Sequence, residues 1–210
     1  MLMFTRDQFN SHLDDILKCR YIIFGEMHDK NSRTEIYSCI DSIINRGYNI
    51  ALVAEELLES VIIRSNYDYY LKVSKRGMKG INGKTKYIGW SDDAIKYCME
   101  HNVDLYGMER YGTEKSNDSK LSLVKMKDEE LSKHYNKPIF SNIFKYRENH
   151  FYRNIVKIKG YDKIVGIVGD SHLRTIRTTE LGASSYLIKN FRFNKDVCFI
   201  RQPKESREID

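Results

Sequence analysis

The clearest indication of the fold is the segment Tyr21-Ile22-Ile23-Phe24-Gly25-Glu26-Met27-His28-Asp29. An apolar run stops at a glycine, and two carboxylates and an imidazole follow. The pattern predicts a buried strand that ends in a turn at Gly25 and presents polar side chains at its tip. Glu26 and His28 are residue types that bind metal ions or carry protons. For so short a motif, a polar surface loop is the alternative.

A strand–helix–strand unit extends from this start. From Asn31 the sequence has the pattern of a capped helix, with isoleucines at helical spacing up to Gly47, a residue that ends helices. A second apolar run, Ile50–Ala54, then ends in Glu55 and Glu56. Such a unit predicts parallel strands that are buried on both faces.

Two later apolar runs repeat the pattern of a strand followed by polar residues. Val103–Met108 ends at Glu109, and Lys163–Val168 is followed closely by Asp170 and His172. We therefore expect an α/β fold in a single domain, with a mostly parallel central sheet flanked by helices.

The other segments give less regular patterns. We expect helices over Thr5–Lys18, Leu57–Ile63, a segment capped by Ser91, Asn142–Lys159 and the residues up to Thr179, and strands over Ser185–Ile188 and Val197–Ile200. Residues 57–88 are expected to form a small cap or lid, 111–137 a polar insertion and 203–210 a frayed tail. The run 72–86 has six cations and no acid. It predicts a solvated loop or a basic lid over an anionic substrate.

Composition limits the class of protein. The chain is 41% hydrophobic and 30% charged, which is typical of a soluble globular domain. A net charge of +6 without a recognised motif makes nucleic acid an unlikely partner. We see no signal peptide and no apolar run that could span a bilayer, so we expect a cytoplasmic location without membrane contact. Cys19, Cys39, Cys98 and Cys198 are far apart, which favours reduced thiols over a zinc knuckle. The oligomeric state stays open.

The polar ends of four predicted strands should meet, because the carboxyl ends of parallel strands lie at one edge of a sheet. Histidines and carboxylates together suit Mn²⁺, Fe²⁺, Co²⁺ or Zn²⁺. Such an ion would activate water, whereas without metal a glutamate–histidine pair could act as a general base. Arg147 falls at helical spacing within an apolar stripe, where it could stabilise an oxyanion or extend to solvent.

One hydrolase motif is excluded. Gly169-Asp170-Ser171-His172-Leu173 resembles the GDSL block, with Ser171 as the nucleophile. That arrangement needs a later histidine, and none follows His172 in the sequence.

Five blocks in order resemble the ChaN-like branch of a superfamily that also holds erythromycin esterases and TIKI/TraB-type metalloproteases. They are the Gly-Glu-Met-His-Asp segment from Gly25, the Glu55-Glu56 strand end, Trp90 with its helix and strand, the Arg147-x₆-Asn154 helix and the Gly-x-x-His that ends at His172. The resemblance runs from about Tyr21 to His172. Two features depart from the family: ChaN proteins resemble haem-handling lipoproteins, yet no export signal is seen, and the esterase branch has a Gly-Glu-x-x-His motif one residue longer.

The resemblance implies an α/β fold and a set of site residues. The implied catalytic residues are Glu26, His28, Glu55, Glu56, Arg147 and His172, and the implied metal ligands are Glu26, His28, Glu55 and His172. The sequence thus predicts a hydrolase, metal-assisted, that acts on an ester, amide or related bond of a small molecule or peptide, which could be anionic. The alternatives are a haem- or iron-binding protein without catalysis, and an interaction protein on an inactive scaffold.

Overall fold

The structure, a computed structural model, describes residues 1–27, 30–58, 61–62, 88–109, 138–173 and 186–203. Within these ranges, the side chains at 56–58, 61–62, 88–92, 109, 138–147 and 171 are not described. Most of the predicted cap 57–88, including the basic run 72–86, the insertion 111–137 and nearly all of the tail 203–210 lie outside the described residues. The predicted helix up to Thr179 lies outside them beyond Leu173.

The strands of the described chain form one seven-stranded sheet in the order β1-β7-β2-β6-β3-β5-β4. Six strands run parallel, and only the two-residue β4 is antiparallel to its neighbour β5. This confirms the predicted α/β fold with a mostly parallel sheet. The strands are β1 Leu2–Thr5, β2 Tyr21–Glu26, β3 Ile50–Leu58, β4 Val61–Ile62, β5 Asp104–Glu109, β6 Lys163–Gly169 and β7 Val197–Arg201.

Helices flank the sheet. They are α1 Leu13–Ile16, α2 Lys30–Ile44, α3 Ile88–Glu100, α4 Pro138–Lys157 and α5 Tyr186–Phe191, with a short 3₁₀ helix at Asp170–Leu173 directly after β6. None of the described helices combines the length and apolarity that crossing a membrane requires. Gly47 and Gly160 have φ values of 83° and 86°, so both follow the ends of helices in the left-handed conformation that glycine favours.

Strands β2 and β6 are buried along their whole length because apolar side chains cover the two faces of the sheet. On one face, Ile22 and Phe24 of β2 belong to the core that also contains the isoleucines of α2. On the other, Ile23 belongs to a core with Phe151 and Ile155 of α4. The alternation along β2 is that expected of a strand. The strand–helix–strand prediction is thus confirmed, although β6 lies between β2 and β3.

The predicted N-terminal helix over Thr5–Lys18 is wrong. Residues Leu2–Thr5 pair with β7 as an edge strand, and two 3₁₀ turns lead to the short α1. Phe9 and Ile16 are buried as the apolar spacing indicated. Spacing located the buried side of this segment, but it could not reveal the backbone pairing with a strand almost 200 residues later.

Three other local predictions are also wrong. Leu57–Ile63 was expected to be a helix, but β3 continues to Leu58 and Val61–Ile62 forms β4. The expected strand at Ser185–Ile188 lies in α5 where it is described, from Tyr186 onward. Ser91 was expected to cap a helix, but α3 already begins at Ile88. Short apolar runs do not distinguish a strand from a buried helix, and tertiary packing decides between them.

Candidate functional site

His172 lies between two carboxylates in the interior of the protein. Its Nδ1 is 2.7 Å from Oε1 of Glu148, and its Nε2 is 3.2 Å from Oε1 of Glu55. The three residues, which we call the His172 cluster, are at most 6% exposed. They come from the second half of β3, the middle of α4 and the 3₁₀ helix after β6, so this edge of the sheet joins segments that are distant in sequence.

Backbone N–H groups hold both carboxylates of the His172 cluster in place. Oε2 of Glu55 accepts a hydrogen bond of 2.6 Å from the Gly169 amide, and Oε2 of Glu148 accepts one of 2.9 Å from the Leu187 amide. Each carboxylate therefore uses one oxygen for a backbone donor and the other for the imidazole. Phe151 packs edge-on against the His172 ring, with 5.5 Å between the ring centroids.

Of the proton arrangements that the contacts allow for the imidazole, two bear on its chemistry. A protonated His172 would donate to both carboxylates. A neutral His172 that donates from Nδ1 to Glu148 would direct the Nε2 lone pair toward Glu55. The second arrangement is the one in which histidine binds a metal ion, with a carboxylate fixing the tautomer from the far side of the ring.

Glu26 lies at the same sheet edge but is bound to an arginine. Its two oxygens accept hydrogen bonds of 2.5 and 2.6 Å from Nε and Nη2 of Arg33, in the first turn of α2. Both side chains are at most 2% exposed. In the sheet register Glu26 is opposite Gly169, so the end of β6 lies between Glu26 and the strand that carries Glu55.

Asp170 fixes the neighbouring strand ends to one another. Its Oδ1 accepts a hydrogen bond from the backbone N–H of Gln202, and its Oδ2 accepts one from Nη2 of Arg201. A Cβ atom added to Gly25 would lie 2.5 Å from Asp170 Oδ1 and 3.1 Å from its Cα. The predicted turn at Gly25 is wrong, because β2 continues through this residue to Glu26. The glycine is needed for close approach instead.

The structure brings two of the predicted site residues, Glu55 and His172, into direct contact. His28 lies outside the described residues, as do the side chains of Glu56, Glu109 and Arg147. Their predicted roles stay predictions. Asn154, which the sequence paired with Arg147, is buried and donates to the Met108 carbonyl.

Two buried charged residues, Glu148 and Arg33, were not predicted from the sequence. Glu148 occupies the apolar stripe of α4, three residues before Phe151 and seven before Ile155, both of which are buried. Arg33 similarly precedes the buried isoleucines of α2. A charged residue at a position of an apolar stripe indicates a buried charge. In α4 the sequence interpretation gave this position to the adjacent Arg147 instead of Glu148.

Few side chains that could bind a metal ion lie close together in the described part of the chain. Within the described residues, no three histidine, cysteine, aspartate or glutamate side chains are grouped as a metal site. Glu55 and His172 supply two neighbouring donor atoms, and both oxygens of Glu26 are hydrogen-bonded to Arg33.

Fold and site together define an α/β protein with a buried carboxylate–imidazole cluster at the carboxyl edge of a parallel sheet. No protein-family model matches the chain, and no curated protein matches its sequence significantly. Similar solved structures include a haem complex of ChaN from Campylobacter jejuni, with 14% identity, a TM-score of 0.47 and coverage of 96% of this chain and 88% of that one. ChaN gives its name to the family branch that the sequence motifs resemble.

Two further structures have a similar fold. One, described as bacterial protein toxins, has 13% identity, a TM-score of 0.48 and coverage of 94% of this chain and 36% of that one. The other is the type III effector HopBA1, with 11% identity, a TM-score of 0.40 and coverage of 73% and 67%.

Proposed function

We propose that the protein is a hydrolase in which the His172 cluster activates water, assisted by a divalent metal ion, for attack on an ester, amide or related bond. The observation that carries the proposal is the buried imidazole with a carboxylate at each nitrogen. Burial of charged groups is costly unless they are paired, and clusters of buried ionisable groups are concentrated at functional sites.

Nε2 of His172 and Oε1 of Glu55 are the two donor atoms that would hold the metal ion. Two ligands that each lie about 2.0–2.2 Å from one ion are separated by about 2.8–3.6 Å, from octahedral to tetrahedral angles. Nε2 of His172 and Oε1 of Glu55 are 3.2 Å apart, and Glu148 holds the opposite ring nitrogen as the carboxylate partner of a metal-bound histidine does. A bound Mn²⁺, Fe²⁺, Co²⁺ or Zn²⁺ would lower the pKa of water and polarise the oxygen of the scissile group.

The residues of the chain supply the remaining steps. Glu148 keeps a proton on Nδ1 of His172, so that Nε2 faces Glu55. Where the pair does not hold a metal ion, one member of the Glu55–His172 pair would itself accept the proton of the attacking water and return it to the leaving group. His28 would add a second imidazole, Arg147 would stabilise negative charge on the oxyanion, and Glu56 follows Glu55 at the strand end. Glu26 could join them only if its pair with Arg33 opened, so we assign Glu26 a structural role.

Metal binding and hydrolysis test the proposal together. We expect Zn²⁺ or Mn²⁺ titration to give saturable binding that His172→Ala abolishes and Glu148→Gln weakens about 10–100-fold. Hydrolysis should be screened with chromogenic esters, anilides and phosphoesters, and Glu55→Gln should abolish whatever activity is found. His101→Asn is the matched control, because His101 also faces a carboxylate, Asp41, but is partly exposed. Activity that survives both His172→Ala and Glu55→Gln would refute the proposal.

Haem binding without catalysis is the competing function. Both ring nitrogens of His172 face carboxylates, so this histidine does not fit an axial haem ligand. A haem titration that gives a saturable Soret shift, together with no hydrolysis of any substrate class, would replace the hydrolase proposal with the haem one.

A further inference from the structure

Arg6 is a buried arginine with an unsatisfied donor. Its side chain is 5% exposed, and Nη1 donates to the carbonyl of Ser32 at 2.7 Å and to its hydroxyl at 3.0 Å. Nη2 has no hydrogen-bond partner in the described part of the chain, and neither has Nε. Nε lies 3.2 Å from Oε2 of Glu35, whose side chain is 62% exposed. Both nitrogens are closed to solvent, so a ligand oxygen would reach these N–H groups only when the exposed Glu35 side chain moves away.

The position of Arg6 suits a negatively charged group. Ser32 belongs to the first turn of α2, a helix of 15 residues, where backbone N–H groups lack intrahelical acceptors and the helix dipole favours anions. The Ser32 hydroxyl donates to the side-chain oxygen of Gln202 at 3.2 Å and accepts from the backbone N–H of Met27 at 3.3 Å, which places the segment after β7 beside the guanidinium. In the sheet register, Thr5 pairs with Arg201, and Nε of Arg201 is a second buried donor without a hydrogen-bond partner in the described residues.

Buried polar groups in proteins are almost always hydrogen-bonded, so two such arginines at adjacent strand ends call for an acceptor. Glu35 supplies negative charge to Arg6 from an exposed position but makes no hydrogen bond with it. An oxyanion with several acceptor oxygens could replace the Glu35 carboxylate, which would move into solvent. Arginine suits carboxylate and phosphate groups especially well, because its planar guanidinium can donate two parallel hydrogen bonds to them.

We propose that Arg6 and the backbone N–H groups in the first turn of α2 bind an oxyanion group of the substrate, a phosphate or a carboxylate, and that Glu35 competes for Arg6. That the bound anion belongs to a substrate rests on the proposed hydrolase, whereas anion binding itself does not. Asp170 connects this oxyanion site to the His172 cluster, because it accepts hydrogen bonds from Arg201 and from the Gln202 amide and lies two residues before His172. The site therefore gives the substrate class, a molecule that carries a phosphate or carboxylate group.

The first experiment measures binding of inorganic phosphate and, separately, of acetate to the full chain by calorimetry at constant ionic strength. We expect saturable binding of at least one anion, and the tighter one identifies the group. Glu35→Gln should tighten this binding about two- to fivefold, because it removes a competing carboxylate. Asp14→Asn is the matched control: it removes the same charge from an exposed carboxylate that faces Arg46. It should leave the affinity unchanged.

The second experiment removes the arginine. Arg6→Gln should weaken anion binding at least about tenfold, whereas Arg46→Gln should not change it. If Arg6→Gln fails to fold, the contrast between Glu35→Gln and Asp14→Asn decides, because both residues are exposed. Absence of saturable binding to the parent protein, equal effects of the two carboxylate variants, or full affinity in a folded Arg6→Gln variant would each overturn the proposal. The assay needs no turnover, so failure of the hydrolase proposal would leave this result unaffected.

Discussion

Gly25 shows how one missing side chain allows two strands to present their polar ends together. A Cβ atom at this position would contact the backbone and carboxylate of Asp170, and the carboxylate is held by Arg201 and the Gln202 amide. Neither side of the contact can move without breaking hydrogen bonds. The glycine of the Gly-Glu-x-His motif is thus a packing requirement for the site.

We predict that Gly25→Ala lowers the free energy of unfolding by about 1–3 kcal/mol, the usual cost of overpacking. Gly166→Ala is the matched control, because its Cβ would meet the end of the Ile23 side chain, which can rotate. Urea denaturation of the two variants measures the difference. A Gly166→Ala variant as unstable as Gly25→Ala would show that the Asp170 contact is not the cause.

At the scale of elements, the buried Glu26–Arg33 pair connects β2 to α2. Two hydrogen bonds satisfy the carboxylate, and neither side chain reaches solvent appreciably. Removal of one partner would leave an uncompensated charge in the interior, which is costlier than loss of the whole pair. The pair therefore fixes where α2 begins relative to the strand end.

We predict that Glu26→Leu and Arg33→Met each cost about 3–5 kcal/mol of unfolding free energy, and that the double variant costs less than either. A double-mutant cycle by denaturant unfolding measures the coupling. The exposed Asp14–Arg46 pair is the control, with a coupling of at most about 1 kcal/mol. Additive costs in the Glu26–Arg33 cycle would contradict the prediction.

The elements that were predictable had long, periodic patterns. The buried strands β2 and β6 and the isoleucine stripe of α2 could be identified because burial on both faces, or on one helical face, leaves a clear pattern. Edge strand β1 could not, because its four residues are stabilised by pairing with β7 at the other end of the chain. Glu148 and Arg33 could have been recognised as charged residues within apolar helical stripes. Their partners could not be predicted, because those partners lie in other elements.

At the scale of the whole molecule, the parallel sheet explains why Glu55 and His172 meet. Parallel strands with helical crossovers place their carboxyl ends on one edge, so the strand pattern alone predicted that these strand ends would lie close together. The strand order did not follow, and it determines that the end of β6 lies between Glu26 and Glu55. Which acid reaches the histidine therefore depends on a register that only the folded chain fixes.

The stability of the whole molecule should decline at alkaline pH, partly through Cys198. This thiol is fully buried in β7, and burial raises its pKa from the ordinary 9.0 to about 12. Above pH 9 the unfolded chain releases the thiol proton while the folded protein retains it. The raised pKa therefore contributes stability that is fully present below pH 9 and is lost as the pH rises toward 12.

We predict that Cys198→Ala makes this decline shallower, by up to about 1.4 kcal/mol per pH unit, without changing the pH dependence below pH 9. Urea denaturation from pH 7 to pH 10.5 measures the slope. Burial also raises the pKa of Tyr97 and Tyr161, so part of the decline should persist above pH 10 in the variant. Val197→Ala, at the preceding buried position, should lower stability at every pH and keep the parent slope. Equal slopes for Cys198→Ala and the parent protein would show that the thiol does not cause the decline.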